Sequence, residues 1–321
     1  MQSAASTLKK RQEWAQPALV VFSLAVAYLL PFEGVLLSYA LLGPAHYLTQ
    51  LNWLHDRDYF IADRGSRLLF LAVGVGGLLY ALYLSRESGL HGTLYMIVMV
   101  GMAVILLGRF SFATFMALTL VVAGGGWWLK DVPAAYVILA LLLPTIIHVA
   151  LFTLLFLLVG AQKRGDLAGK VTALCWIGAA ALVVAVPPAI NVLWPEWFGG
   201  HRRYFDAVAQ RMGAGPDQPL DRGWSAAYGL LTFAYTYHYL NWFSKTELLQ
   251  WHRIAPARLY PIAALYVASV GLYLYDYALG FAVLLLLSFI HVIAELPLDA
   301  QVMRALLRGL LPRRAATSGG D

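Results

Sequence analysis

Four histidines, His46, His148, His238 and His291, sit inside long apolar runs of a 321-residue chain. Ionisable side chains in such runs are costly unless they meet partners or a polar cavity, and within a membrane they mark function by default. Neutral imidazole is also the commonest protein ligand for a metal. The chemistry these residues could do together is to hold one buried ion.

Their spacing supports a common site. If the runs are membrane spans, His46 lies 12 residues after the start of its span, His148 15, His238 15 and His291 12. At a rise of 1.5 Å per residue, the four fall within about 5 Å of one another in depth. All four spans run in the same direction. The other histidines, His55, His91, His201 and His252, fall at helix ends or in loops.

The neighbours of the four add detail. Pro44 and Pro144 each stand within about a turn of a histidine, His46 and His148. Proline removes a backbone donor and loosens the local helix, which can aim a side chain. Asn241, three residues after His238, shares its face and suits an outer hydrogen-bond partner. Tyr237 belongs to the aromatic cluster around His238 and is a second candidate for catalysis. Glu295 follows His291 by four residues and could serve as a fifth ligand, an outer acceptor or a proton carrier; the bland alternative is a carboxylate reaching the interface. His55 and His252, with Asp56 or Glu247, could form a second metal site, although the spacing does not fix its geometry.

The elements that must position these residues are helices in a membrane. The chain is 60% apolar and 12% charged, with a mean hydropathy of +0.68. A soluble domain carries about 25% charge. The expected fold class is all-α, with ten spans near 17–32, 34–54, 67–84, 91–108, 110–130, 133–161, 170–193, 223–245, 259–275 and 279–297. Most reach the roughly 20 residues that cross a bilayer. The expected organisation is a cytoplasmic segment (1–16), one transmembrane domain (17–300) and a cytoplasmic tail (301–321). The outer loop around 194–222 is expected to lie at the headgroups, because Trp194, Trp197 and Phe198 stand beside His201, Arg202 and Arg203.

Charge supports the map. With both termini inside, 17 of the 23 Lys and Arg residues fall on inner segments and 6 on outer ones, which is the positive-inside bias. The net charge of +6 therefore sets orientation and does not point to nucleic acid. The one cysteine, Cys175, excludes an internal disulfide, a CxxC pair and a CxxCH haem attachment.

An all-histidine site suits iron, with zinc or copper as alternatives, better than magnesium or calcium. An iron centre with an open position can handle dioxygen beside an apolar substrate, and a lipid-soluble substrate would explain burying the metal in a bilayer.

A polytopic chain of this length with four histidines on separate spans resembles the Brp/Blh family, the microbial membrane-bound carotene cleavage dioxygenases. The resemblance implies a histidine-held non-haem iron, oxidative cleavage of a carotenoid to retinal, and a place in a bacterial cytoplasmic membrane. Members of that family carry a closely spaced histidine pair on one helix. Here no histidine stands one turn from His238, so no residue role is transferred.

Two other readings remain open in the sequence. A proton- or ion-coupled transporter would use His291 and Glu295 as a relay and needs acids at several depths; Glu33 and Asp276 fall near the outer ends. A b-type haem protein would use two facing histidines as axial ligands. Whether a redox partner supplies electrons is also left open.

Overall fold

The computed structural model of the chain describes residues 2–61, 64–65, 148–150, 153–165, 167–189 and 222–310. Among them all regular structure is helical, as expected. The elements are α1 (Gln2–Leu29), α2 (Glu33–Leu37), α3 (Gly43–His55), α4 (Thr153–Arg164), α5 (Leu167–Ala185), α6 (Arg222–Ser244), α7 (Thr246–Leu249), α8 (Pro256–Tyr275) and α9 (Tyr277–Leu310). The expected spans 67–84, 91–108 and 110–130, most of 133–161, the loop 194–222 and the residues from 311 on lie outside the described residues.

Two of these helices, α5 and α8, are long and apolar enough to cross a membrane. Twenty residues of α8 rise about 30 Å, the thickness of a bilayer's hydrocarbon core. Each helix exposes an apolar face, although α5 also buries Trp176, Ala179 and Val183. On α8, Tyr260, Val267 and Leu274 recur at seven-residue intervals and are 76%, 68% and 66% exposed. Leu167, Leu174, Ile177 and Val184 do the same on α5. The interior, by contrast, holds His46, Gln50, His148, Thr172, Thr232, His291, Glu295 and Asp299. Buried polar groups of this kind lie within a largely apolar core, beside helices that also expose apolar side chains.

Local sequence explains several boundaries. Pro31 follows the end of α1, where its missing N–H stops the helical ladder; its carbonyl accepts from the Thr232 hydroxyl at 2.6 Å. Gly165, with φ +65°, ends α4 in the left-handed conformation that glycine adopts without a Cβ clash. Gly34 lets α2 approach α6 closely, because a Cβ there would strike the Thr232 methyl group; small residues serve this purpose where helices meet in membranes.

One boundary departs from expectation. The last helix does not end at Pro297 but continues to Leu310. Val302, Met303 and Leu306 pack against Leu155 and Val159 of α4, and that apolar contact offsets the hydrogen bond lost at the proline. The first helix likewise extends back through the expected N-terminal segment to Gln2.

Two groups of helices meet in the middle. α1 packs on α5 and α6, while α9 packs on α3 and α8. α4 lies against both α5 and α9, and α6 touches α2 and α3. The junction of these groups is where the four histidine-bearing segments converge.

Candidate metal centre

His46 comes from α3, His238 from α6 and His291 from α9, while His148 stands just before α4. Both proline-flanked histidines sit at a π-helical turn. Ser38–Leu42 is a π turn between α2 and α3, and helical dihedrals continue unbroken through it. Residues 148–150 form another. Pro44 cannot donate to the carbonyl of Ala40, so a wider turn replaces the regular ladder at that point. Such turns shift the side chains that follow round the helix axis, and they concentrate at functional sites.

The four rings form a closed ring of neighbours. Their centroids are 4.7 Å apart for His46 and His238, 5.4 Å for His238 and His148, 4.8 Å for His148 and His291, and 5.0 Å for His291 and His46. The Nε2 atoms of His46 and His238 are separated by 3.1 Å. Two ligands at about 2.1 Å from one ion lie roughly 3.0 Å apart in an octahedral arrangement and 3.4 Å in a tetrahedral one.

Glu295 completes the set. Its Oε2 lies 3.5 Å from Nε2 of His148 and 3.5 Å from Nε2 of His291, too long for good hydrogen bonds but suited to ligands around a common ion. The donor atoms form two groups that share His291: His46, His238 and His291, and His148, His291 and Glu295, each with all its atoms within 4.8 Å of one another.

Orphaned atoms mark the same point. Among the described residues, His148 Nε2, His291 Nε2 and Glu295 Oε2 lie together, buried without a hydrogen-bond partner. Buried polar groups left unpaired are costly, and so many at one spot fit a cation that the side chains would share.

The outer faces of two rings are anchored. His291 Nδ1 donates to the carbonyl of Ser288 at 3.2 Å, so its Nε2 carries the lone pair that faces the centre. His238 Nδ1 meets the Thr153 hydroxyl at 2.8 Å, which leaves its Nε2 directed at His46. This is the arrangement in which metal-bound histidines are held. Tyr47, Tyr239 and Trp242 wall the site, with centroids 4.7 Å from His291 for Tyr47 and 5.1 and 5.4 Å from His46 for the other two.

The sequence expectations fare unequally. His46, His148, His238, His291 and Glu295 come together. Asn241 is buried, with its side-chain carbonyl oxygen unpartnered among the described residues; the hydrogen-bond partner of His238 Nδ1 is Thr153 instead. Tyr237 does not join the site. One residue before His238, it lies about 100° round the helix, in a cluster with Val20, Trp176 and Phe233. Its hydroxyl donates to Gln16 at 3.4 Å.

Thr153 was missed because it follows His148 by five residues. In an ordinary helix that offset does not share a face; the π turn at 148–150 brings it round. A proline four residues ahead of His148 was the only sequence signal.

Among the described residues no ligand group gathers around His55 and His252: the Asp56 carboxylate accepts from Arg258 at 2.7 Å, His252 lies against the Trp251 ring, and the side chain of Glu247 lies outside the described residues. Neighbouring rings are also too close to face each other across a porphyrin. Axial imidazole nitrogens across a haem stand about 4 Å apart, twice a metal–nitrogen bond of about 2.0 Å, with the macrocycle between them. Between neighbouring rings, the 3.1 Å gap of His46 and His238 is narrower than that, and the 4.8 Å centroid separation of His148 and His291 is less than facing rings at that distance would show.

No family model, curated protein or solved structure matches the chain.

Proposed function

We propose that this protein is a membrane-embedded, non-haem metal oxidoreductase that acts with dioxygen on a lipid-soluble substrate. The observation that carries the reading is the convergence of four buried imidazoles and one buried carboxylate, with ligand atoms within 4.8 Å of one another in each of two groups. Within it, His148, His291 and Glu295 supply two imidazoles and one carboxylate, the donor set of many non-haem iron oxygenases. Iron fits this set best, with zinc and copper as the alternatives.

When bound, such an ion supplies Lewis acidity and, as iron, one-electron chemistry with dioxygen. The chain's own residues do the rest. The Ser288 carbonyl holds His291 in the tautomer that presents Nε2, and the Thr153 hydroxyl fixes the orientation of the His238 ring. Tyr47, Tyr239 and Trp242 offer an apolar, aromatic wall to a substrate. Exposed apolar faces on α5 and α8 suit ten helices in a bacterial cytoplasmic membrane, with substrate approaching laterally from lipid.

A carotenoid is the substrate we favour, from the resemblance to the Brp/Blh dioxygenases. Cleaving a carbon–carbon double bond with both atoms of dioxygen yields two carbonyl groups and needs no external reductant. Inserting a single oxygen atom would instead need two electrons from a partner.

The test is metal analysis of the purified protein and of His46→Ala, His148→Ala, His238→Ala and His291→Ala variants. The expected result is about one ion per chain, lost by 10-fold or more in affinity in each variant. A wild-type protein that binds no transition metal sinks the reading. A second reading, proton-coupled transport, draws on Glu33, Glu295 and Asp299, buried at three different depths; proton flux through reconstituted vesicles without dioxygen or metal would favour it.

A further inference from the structure

Two indoles join the histidines to the end of the bundle that carries Asp56 and Arg258. Trp242, one turn after His238 on α6, sets its ring edge-on to His46, with centroids 5.4 Å apart. Trp53, on α3, meets Trp242 at 5.6 Å and 90°. Beyond it stands the exposed Arg57, whose guanidinium carbon lies 4.1 Å from the Trp53 ring centroid. The rings follow one another from a candidate ligand to a side chain in solvent.

The pair differs from an interfacial belt. Belt tryptophans sit where their rings reach lipid headgroups, whereas Trp53 and Trp242 are 7% and 8% exposed. They are packed in an apolar plug with Leu54, Ala294 and Leu298. Both N–H groups are satisfied within the protein: Trp242 donates to the Thr49 hydroxyl at 3.1 Å and Trp53 to the Leu249 carbonyl at 2.7 Å. An electron needs no opening through such packing, because it tunnels between neighbouring rings. Indole and phenol are among the side chains most easily oxidised, and indole can give up an electron while keeping its proton. A phenol must shed its proton as well, and the Tyr47 and Tyr239 hydroxyls bond to each other at 2.6 Å, neither being a base that would accept one.

We propose that Trp242 and Trp53 conduct single electrons between the metal centre and a soluble one-electron carrier that docks at the end bearing Arg57. The inner terminus of this conduit rests on the metal-centre reading; transfer between the indoles does not. Trp242 gives one electron to the oxidised ion, Trp53 gives one to Trp242, and the reduced carrier gives one to Trp53. No bond forms or breaks, and the N–H protons stay on the indoles. The Arg57 charge over Trp53 opposes a second positive charge in that ring. The electron deficit therefore rests on Trp242, beside the site, until the carrier refills it. Double-bond cleavage with both atoms of dioxygen needs no reductant in each cycle, so the conduit serves to return an oxidised ion to its working state.

The experiment is photo-oxidation from a ruthenium tris-bipyridyl label on His55→Cys, in a Cys175→Ser chain that has no other thiol. His55 is exposed and stands two residues from Trp53. A flash with a quencher oxidises the label, which then draws an electron outward along the same rings. In the metal-free chain, the expected result is an indole radical in the parent, its loss in Trp53→Phe, and a shorter lifetime in Trp242→Phe, where the deficit cannot move inward. With ferrous iron bound, the parent radical gives way to a ferric signal in electron paramagnetic resonance. Trp242→Phe is expected to lose that conversion, while Trp176→Phe, in a separate cluster, keeps it. The two links are tested by separate variants, each read on chains that elute as one species like the parent. An unchanged radical lifetime in metal-free Trp242→Phe, or ferric iron forming as fast in Trp242→Phe as in the parent, overturns the conduit and leaves the metal centre standing. A chain that takes up no iron loses the metal-centre reading, and with it the inner terminus, whatever the indoles do.

Discussion

Thr153 is the residue whose role is easiest to isolate, because its hydroxyl makes a single polar contact with the site, at 2.8 Å to His238 Nδ1. Removing the hydroxyl while keeping the branched shape frees the ring to rotate or change tautomer. Thr153→Val is expected to weaken metal affinity by about 10- to 100-fold, while Thr153→Ser stays near the wild type. Competition against a chromophoric chelator measures both. Equal affinity in Thr153→Val would show that the hydroxyl only fills space. At the inner end, a different residue responds to pH. The Arg258 guanidinium beside Asp56 holds its carboxyl below the usual carboxylate range. A depressed folded value means stability that is present above the unfolded value and is lost as pH falls through the folded one. The stability difference between wild type and Arg258→Gln is therefore expected to be flat near neutral pH, at most about 1 kcal/mol for so exposed a pair, and to close below about pH 4. Denaturation in mild detergent across pH measures it; a gap that widens in acid contradicts the assignment.

Among the elements, the two π turns decide where the histidines point. The turn at Ser38–Leu42 precedes Pro44, and the π-helical residues 148–150 include His148 itself. Pro44→Ala restores an N–H able to bond the Ala40 carbonyl, which lets the turn tighten into regular helix. His46 would then rotate away from His238. The expected outcome is lower metal content with unchanged helical circular dichroism. Retention of full metal content would mean that the packing of α3 against α9, and not the proline, fixes the turn. The same element ends in a strained segment. Asp58, Tyr59 and Phe60 all have φ between 52° and 58°, a left-handed run that costs about 1–2 kcal/mol per residue. Packing of Tyr59 and Phe60 against Trp53 and Trp242, and a hydrogen bond from Gln301 to the Phe60 carbonyl at 3.3 Å, hold it in place.

For the whole molecule, the prediction concerns topology. Ten spans with both termini inside are what the Lys and Arg bias leads us to expect, and two helices, α5 and α8, are long and apolar enough to cross a membrane. Reporter fusions after the C-terminal tail and at Gly213 are expected to report opposite sides. Signals from the same side would overturn the map and remove the common depth on which the four histidines were first grouped.

How much was legible in the sequence divides along one physical line. Position along a helix axis follows from residue number at a fixed rise, so the common depth of His46, His148, His238 and His291 could be read without a structure. Glu295 was legible for the same reason, being one turn from His291 on a regular stretch. Position round the axis is different, because it depends on every intervening turn and on which neighbour the helix meets. Thr153 escaped since a π turn carries it to the face of His148. Tyr237 was misplaced since closeness in sequence to His238 puts it on another face, against α1. Glu33 read as an outer-end acid, yet it is fully buried, because burial belongs to the helices that close over a residue. Helical class and the candidate ligands came from composition and spacing; convergence of the rings, the anchoring of His238 and His291 and the contact of Trp53 with Trp242 came only from packing of helices far apart in the chain.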